Sequence, residues 1–336
     1  MTTRITLTVP RFNFQQLVHS HGWAWLAPFT WNDASETLSH PIMLGQGRHV
    51  QVNIRVQQAG SLSRVTVTAK KDLQPLEREI IRQGVRRMLR LDEDFAEFHK
   101  VCVTDPRLRF VARSRCGGML RAPDLFEDLI KTVCTVNCSW GNTISMCEAL
   151  CRLGEGAFPT ATTLLKFNER RLAAQAPLGY RARTVLLLSR LHEEGQLPLD
   201  AWAAQGDFAQ IRDTLSPIWG IGPYALSHIL VLLGCYDAIP VDSEAIGFLR
   251  RTYFGGEAVS PKLAVTPYDK YGKFRFLAFQ FHRLLHTSSA SNCNCCDFPY
   301  EFTSVHFAIF IIILMQLFSM NCFNRNFLPY FFTELA

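Results

Sequence analysis

The feature that most constrains this chain is a change in the period of its hydrophobic residues. Near the N-terminus, Ile5, Leu7 and Val9 alternate with threonines, Val50, Val52, Ile54 and Val56 repeat the pattern, and Val65 and Val67 repeat it again. A period of two turns one side of each segment to a core and the other to water, as a half-buried strand requires. Gln58-Ala-Gly-Ser between the last two runs reads as a hairpin turn. Helical spacing takes over near Pro75, where Leu76, Ile80, Ile81, Val85 and Leu89 fall on one stripe. From Asp124, which reads as an acidic helix cap, the pattern is helical throughout, with further helices expected at 141–153, 161–173, 180–193, 207–216, 223–234 and 243–252. The expected class is α+β: a mixed sheet-and-helix domain over 1–115, an all-helical domain over 116–286, and an atypical apolar tail over 287–336.

A chain of 336 residues, 48% hydrophobic and 19% charged, can bury a sizeable core, which excludes a disordered protein. Its net charge is +6, and Asp297, Glu301, Arg325 and Glu334 give the tail −2, so residues 1–286 carry +8. That balance suits a polyanionic partner. Eleven cysteines are not needed as staples at this length, and the first residues lack the long apolar stretch of a signal peptide. Cys134, Cys147, Cys151 and Cys235 are therefore expected as small buried thiols. The apolar run at 307–320 is shorter than the ~18 residues of a membrane span. No stable membrane association is expected, and the tail is expected to pack loosely or remain disordered.

Two short segments carry chemistry. In Leu215-Ser-Pro-Ile-Trp-Gly-Ile-Gly-Pro-Tyr-Ala-Leu-Ser-His, a helix is expected to end near Ile218. Gly220, Ile221 and Gly222 then turn tightly, and a second helix starts at Pro223. Proline suits a first helical position because its missing N–H would have no partner there. Glycines let backbone approach a ligand closely, and the amides that open a helix bind anions. A Gly-x-Gly alone is more often a plain helix–helix turn. Val241-Asp242, arriving 20 residues after Gly222, adds a carboxylate at the mouth of the next helix. Cleaving a glycosidic bond builds positive charge on the sugar, which a nearby carboxylate stabilises while orienting water. Asp242 suits that role and suits capping the helix it precedes; the two are compatible.

These segments resemble those of the helix-hairpin-helix DNA glycosylases of base-excision repair. The family signature is a Leu-Pro-Gly-Val/Ile-Gly hairpin followed about twenty residues later by Val-Asp, matched here by Ile218-Trp-Gly-Ile-Gly222 and Val241-Asp242. Trp219 replaces the usual proline and Leu226 the usual small alanine, but the glycines are kept, so the turn is expected to survive. Leu178-Gly-Tyr-Arg-Ala-Arg183 is similar to the segment with which 8-oxoguanine glycosylases approach the base opposite the lesion, and residues 126–137 are similar to the family's first core helix. The resemblance implies Tyr180 as a wedge, with Asn137 and Arg181 holding the estranged base. The run His21-Gly-Trp-Ala-Trp-Leu-Ala-Pro-Phe-Thr-Trp31 looks like one in bacterial 3-methyladenine glycosylases. The likeness extends from residue 1 to about 285.

In the family's lyase-competent members, the second residue after the hairpin is a lysine that attacks the sugar as an amine. Here it is Tyr224. The resemblance therefore implies a monofunctional N-glycosylase that flips a damaged purine, alkylated in the first instance, out of double-stranded DNA. A monomer in the nucleus, or another DNA-containing compartment, is expected. Tyr224 and His228 share one helix face and are expected to line the base pocket, with Trp25 and Phe279 as further aromatics. Cys293, Cys295, Cys296 and Cys322 lack the family's cluster spacing, so no iron–sulfur cluster, other metal or organic cofactor is expected. A monovalent cation at the hairpin carbonyls is what the resemblance implies. The rival readings are an 8-oxoguanine-type glycosylase, a DNA-binding homologue without catalysis, and a truncated form lacking the helix that closes the domain after Lys273-Phe-Arg-Phe-Leu-Ala-Phe.

Overall fold

The alternating segments pair into one antiparallel sheet of five strands: β1 (Thr3–Pro10), β2 (Thr30–Asn32), β3 (Thr37–Gly45), β4 (Arg48–Ala59) and β5 (Leu62–Ala69), in the order β1-β5-β4-β3-β2. This computed structural model describes residues 2–45 and 47–289. Ile5 lies opposite Val67, which lies opposite Ile54, which lies opposite Leu38, so one row of apolar residues crosses four strands. That row faces the core. The β4–β5 hairpin turns at Gly60 and Ser61, inside the expected tetrapeptide, with Gly60 at φ 61°. β2 and β3 were not foreseen. Pro41 interrupts the strand signal in β3, and its position beyond the last residue paired with β2 leaves it at an edge, where a missing N–H is tolerated.

The helical pattern is largely realised. Leu125–Thr135 begins with Asp124 accepting from Glu127 N at 2.9 Å, as its sequence implied. Trp140–Leu153, Arg181–Glu193, Phe208–Leu215, Pro223–Leu233 and Ser243–Tyr253 follow. The expected single helix over 161–173 is two, Ala161–Leu164 and Glu169–Gln175, because the Asn168 side chain caps Arg171 N and restarts the chain. The closing helix feared absent is present as Arg275–Ser289, with Phe276, Leu277, Phe279 and Phe281 buried. It carries residues 287–289 of the expected tail. The remainder, 290–336, lies outside the described residues, and so do the expectations for its apolar run and its cysteines. Among the described residues no helix is long and apolar enough to cross a membrane. Cys134, Cys147, Cys151 and Cys235 are free and buried.

Helix Pro223–Leu233 lies between two apolar clusters. Ala225, Ile229, Leu230, Leu232 and Leu233 pack with the sheet residues, and Val231 packs with Phe98, Tyr268 and Phe279. A helix that is apolar on every side is a buried one. Its C-terminal end is held by Arg90, whose fully buried guanidinium donates to Val231 O at 2.9 Å, Leu232 O at 3.2 Å and Met119 O at 2.7 Å. A cation on the last carbonyls satisfies them and opposes the negative end of the helix dipole.

Candidate active site

The hairpin forms where the glycines predicted it. Phe208–Leu215 ends, Ile221 N donates back to Ile218 O at 3.0 Å, and Pro223–Leu233 opens with Gly222 as its cap. Gly220 has φ 89°, and a Cβ there would lie 2.4 Å from Thr184 Oγ1. The hairpin thus rests directly on the Arg181–Glu193 helix, and Thr184 Oγ1 donates to Trp219 O at 2.8 Å. Gly222 and Pro223 are exposed, so the start of this helix is open to water, where helix-start amides can meet an anion.

Beside the hairpin stand the residues expected to occupy a gap in DNA. Tyr180 caps the Arg181–Glu193 helix and is 47% exposed. Asn137 is exposed and left-handed at φ 48°. Arg181 is placed differently from the expected base contact. It is buried, and its guanidinium donates to the carbonyls of Val136 and Asn137, 3.2 Å for the latter. It therefore holds the Asn137 turn from beneath, with its own cation 4.6 Å from the Tyr180 ring.

Asp242 is exposed, and its Oδ1 accepts from Ala245 N at 2.7 Å, capping Ser243–Tyr253. Its charge also reaches Tyr224. Burial and the Asp242 carboxylate together push the Tyr224 phenol up to about 12, so this ring is neutral and not a nucleophile at ordinary pH. Tyr224 stacks on His228, with centroids 6.1 Å apart and planes 23° apart. His228 continues to Trp23 at 5.1 Å and to His21 at 5.7 Å. Burial lowers His228 to about 4 against the upward pull of Asp128. His21 is lowered well below its ordinary value by burial, by His228 and by the Arg90 and Lys131 cations. Both rings are neutral at pH 7. The Nε2 atoms of His21 and His228 and the Nε1 atoms of Trp25 and Trp140 are buried with no hydrogen-bond partner among the described residues.

Of the two further aromatics, Phe279 is not at this ladder. It is 1% exposed and packs edge to face on Tyr268 and Phe248, on the other side of the core. Trp25 pairs with His19 at 6.3 Å and makes no ring contact with the ladder among the described residues. His21, Trp23 and Trp140 were missed as site residues. The motif run His21-Gly-Trp carried the only signal, since nothing local shows that it meets a helix two hundred residues later. Gly22 lets the same run approach a second helix, Trp140–Leu153: at φ 98°, a Cβ would come within 2.9 Å of the Trp140 ring. Among the described residues no group of three or more His, Cys, Asp or Glu could hold a metal ion.

No protein-family model matches the sequence, and no curated protein matches it. Among solved structures it is similar to the 3-methyladenine DNA-glycosylase of Archaeoglobus fulgidus, with a TM-score of 0.64 at 18% identity over 84% of this chain and 97% of that one. It is likewise similar to the 8-oxoguanine glycosylase/lyase of Clostridium acetobutylicum in complex with double-stranded DNA containing cytosine opposite 8-oxoG, with a TM-score of 0.61 at 19% identity over 86% and 98% of the two chains. The chain shares its fold with these two solved DNA glycosylases.

Proposed function

We propose that this chain is a monofunctional DNA glycosylase that removes an alkylated purine from double-stranded DNA. One observation carries the reading: Tyr224 lies between an exposed carboxylate, Asp242, and a buried ladder of neutral rings in which the Nε2 atoms of His21 and His228 have no partner among the described residues. A carboxylate at the sugar, an aromatic face for a base and open ring nitrogens at its edge are the three things base excision needs. Duplex phosphate would bind the amides that open Pro223–Leu233. Tyr180 would fill the space left by the flipped nucleotide. Asp242 would stabilise the developing sugar cation and orient water, a role its capping bond leaves room for because each carboxylate has further acceptor sites. Neutral His21 and His228 put no positive charge against a cationic alkylated base, which the Tyr224 ring attracts through its face.

A monovalent cation would be held by hairpin carbonyls. Those of Ile218 and Gly222 each accept one backbone amide and keep a second lone pair, so they fit such an ion. Its chemistry would be charge neutralisation at the phosphate, and no step passes through it.

A second reading, an oxidised purine as substrate, is favoured by Arg181 beneath Asn137 and beside Tyr180. The two are separated by a base-release screen over duplexes carrying 3-methyladenine, 7-methylguanine, hypoxanthine, ethenoadenine or 8-oxoguanine. The expected result is release of an alkylated purine, strands that break only after hot alkali, and no adduct trapped by borohydride, because a phenol cannot form an imine with the sugar. Release of 8-oxoguanine with a trapped adduct would overturn both the substrate and the monofunctional assignment. Binding without release of any base would leave a non-catalytic homologue.

A further inference from the structure

The hairpin residue that departs from its family pattern is the most conspicuous side chain on this surface. Trp219 is 50% exposed, and its ring meets that of Tyr180 edge to face, with centroids 5.6 Å apart and planes at 83°. A guanidinium accompanies each ring: that of Arg183, itself exposed, lies 5.5 Å from Trp219, and that of Arg181 lies 4.6 Å from Tyr180. The backbones beneath are fixed to each other. Thr184, one helical turn after Tyr180, donates to Trp219 O at 2.8 Å and fills the space where Gly220 has no Cβ. The turn that would clamp phosphate and the ring that would enter the gap are therefore one rigid piece.

Resting on the glycosylase reading, we propose that Trp219 and Tyr180 form a single two-ring wedge for duplex DNA from which one nucleotide has left the stack. Trp219 braces Tyr180 from the side and offers its own face to the unstacked edge of the gap, while Arg183 meets the adjoining phosphate. Open aromatic faces recognise bases regardless of sequence, and the neighbouring cation and helix-start amides complement a phosphate backbone. A proline in place of Trp219 could supply neither the brace nor the second face. Trp219 is thus a positioning and DNA-contacting residue rather than a catalytic one.

The test uses the full chain, with Trp219→Ala, Tyr180→Ala and the double variant, on an intact duplex and on the same duplex carrying a tetrahydrofuran abasic analogue. The parent should prefer the abasic duplex. Trp219→Ala should lose roughly tenfold on that duplex, the size of one aromatic–base stack, while changing little on the intact one. The double variant should lose clearly less than the sum of the two single losses, because the two rings brace each other. Trp219→Phe should retain most of the preference, and the emission that separates it from the parent should be quenched by the abasic duplex alone. Trp219→Ala with an unchanged preference, equal losses on both duplexes, or additive losses in the double variant would overturn the wedge and leave the glycosylase reading standing. A parent with no preference for the abasic duplex would overturn the glycosylase reading, and the wedge with it.

Discussion

Gly220 and Gly222 look equivalent in the sequence and are not. Gly220 is left-handed at φ 89° and has Thr184 Oγ1 where a methyl group would go, whereas Gly222 is extended, with open space at its Cβ position. Alanine at Gly220 must bear the left-handed strain, ~1–2 kcal/mol, and also displace a short β-branched side chain that anchors Trp219. Gly220→Ala should therefore lower the melting temperature and weaken binding to abasic duplex by about tenfold or more, with stacking as the guide. Gly222→Ala should melt like the parent. Two variants that melt and bind alike would contradict this seating of the hairpin. At this scale the sequence made the turn, Asp242 and Tyr224 legible because each sits inside a local motif. It hid His21, whose part depends on a contact with His228 across 207 residues. It also hid the burial of Arg181, since nothing local reveals the carbonyls beneath it.

Among the elements, helix Pro223–Leu233 decides the site, because it carries Tyr224 and His228 and is fixed at its far end by Arg90. Burying His228 has a cost that depends on pH. In the unfolded chain its pKa returns to the ordinary value near 6.5, whereas in the folded chain it is about 4. Between those values the unfolded state binds a proton that the folded state does not, so stability falls as pH drops from about 6.5 to about 4. His282, also lowered to about 4 by burial, adds to the same slope. Chemical denaturation at pH 7 and pH 5 should show a stability loss in the parent larger by roughly 2 kcal/mol than in His228→Gln. Identical losses would mean that His228 is solvated in solution. This helix was legible from Pro223 and Gly234 at its ends. β3 was not, because Pro41 breaks the alternation that defines a strand, and the two short helices at 161–175 were read as one because their apolar stripe continues across the Asn168 cap.

Across the whole molecule, buried charges join the sheet to the helices. Lys131 and His40 are both inaccessible and meet Glu127 at 2.6 Å and 3.1 Å. Burial pushes Glu127 up, but these partners outweigh it and bring it down to about 2. Lys131 also lies 4.6 Å from the Phe29 ring. One residue on, Asp128 accepts from Arg87 at 2.6 Å and from Trp23 Nε1 at 2.8 Å, which sets the ring that stacks on His21. Removing one partner of such a cluster costs about 3–5 kcal/mol, so the network specifies one arrangement of strand, loop and helix. The α+β class followed from the change of period alone. The joining of His40, Glu127 and Lys131 did not, because a buried ion pair looks in sequence like any polar position on a helix. The central claim is that this scaffold presents Asp242 to a sugar as a base departs. The direct measurement is single-turnover base release by Asp242→Asn beside the parent, with duplex affinity measured in parallel. The account predicts a fall of about 10²-fold or more in release, as when a group aimed at developing charge is lost, with affinity within a few-fold of the parent. Near-normal release would contradict it and leave Asp242 as the cap of Ser243–Tyr253.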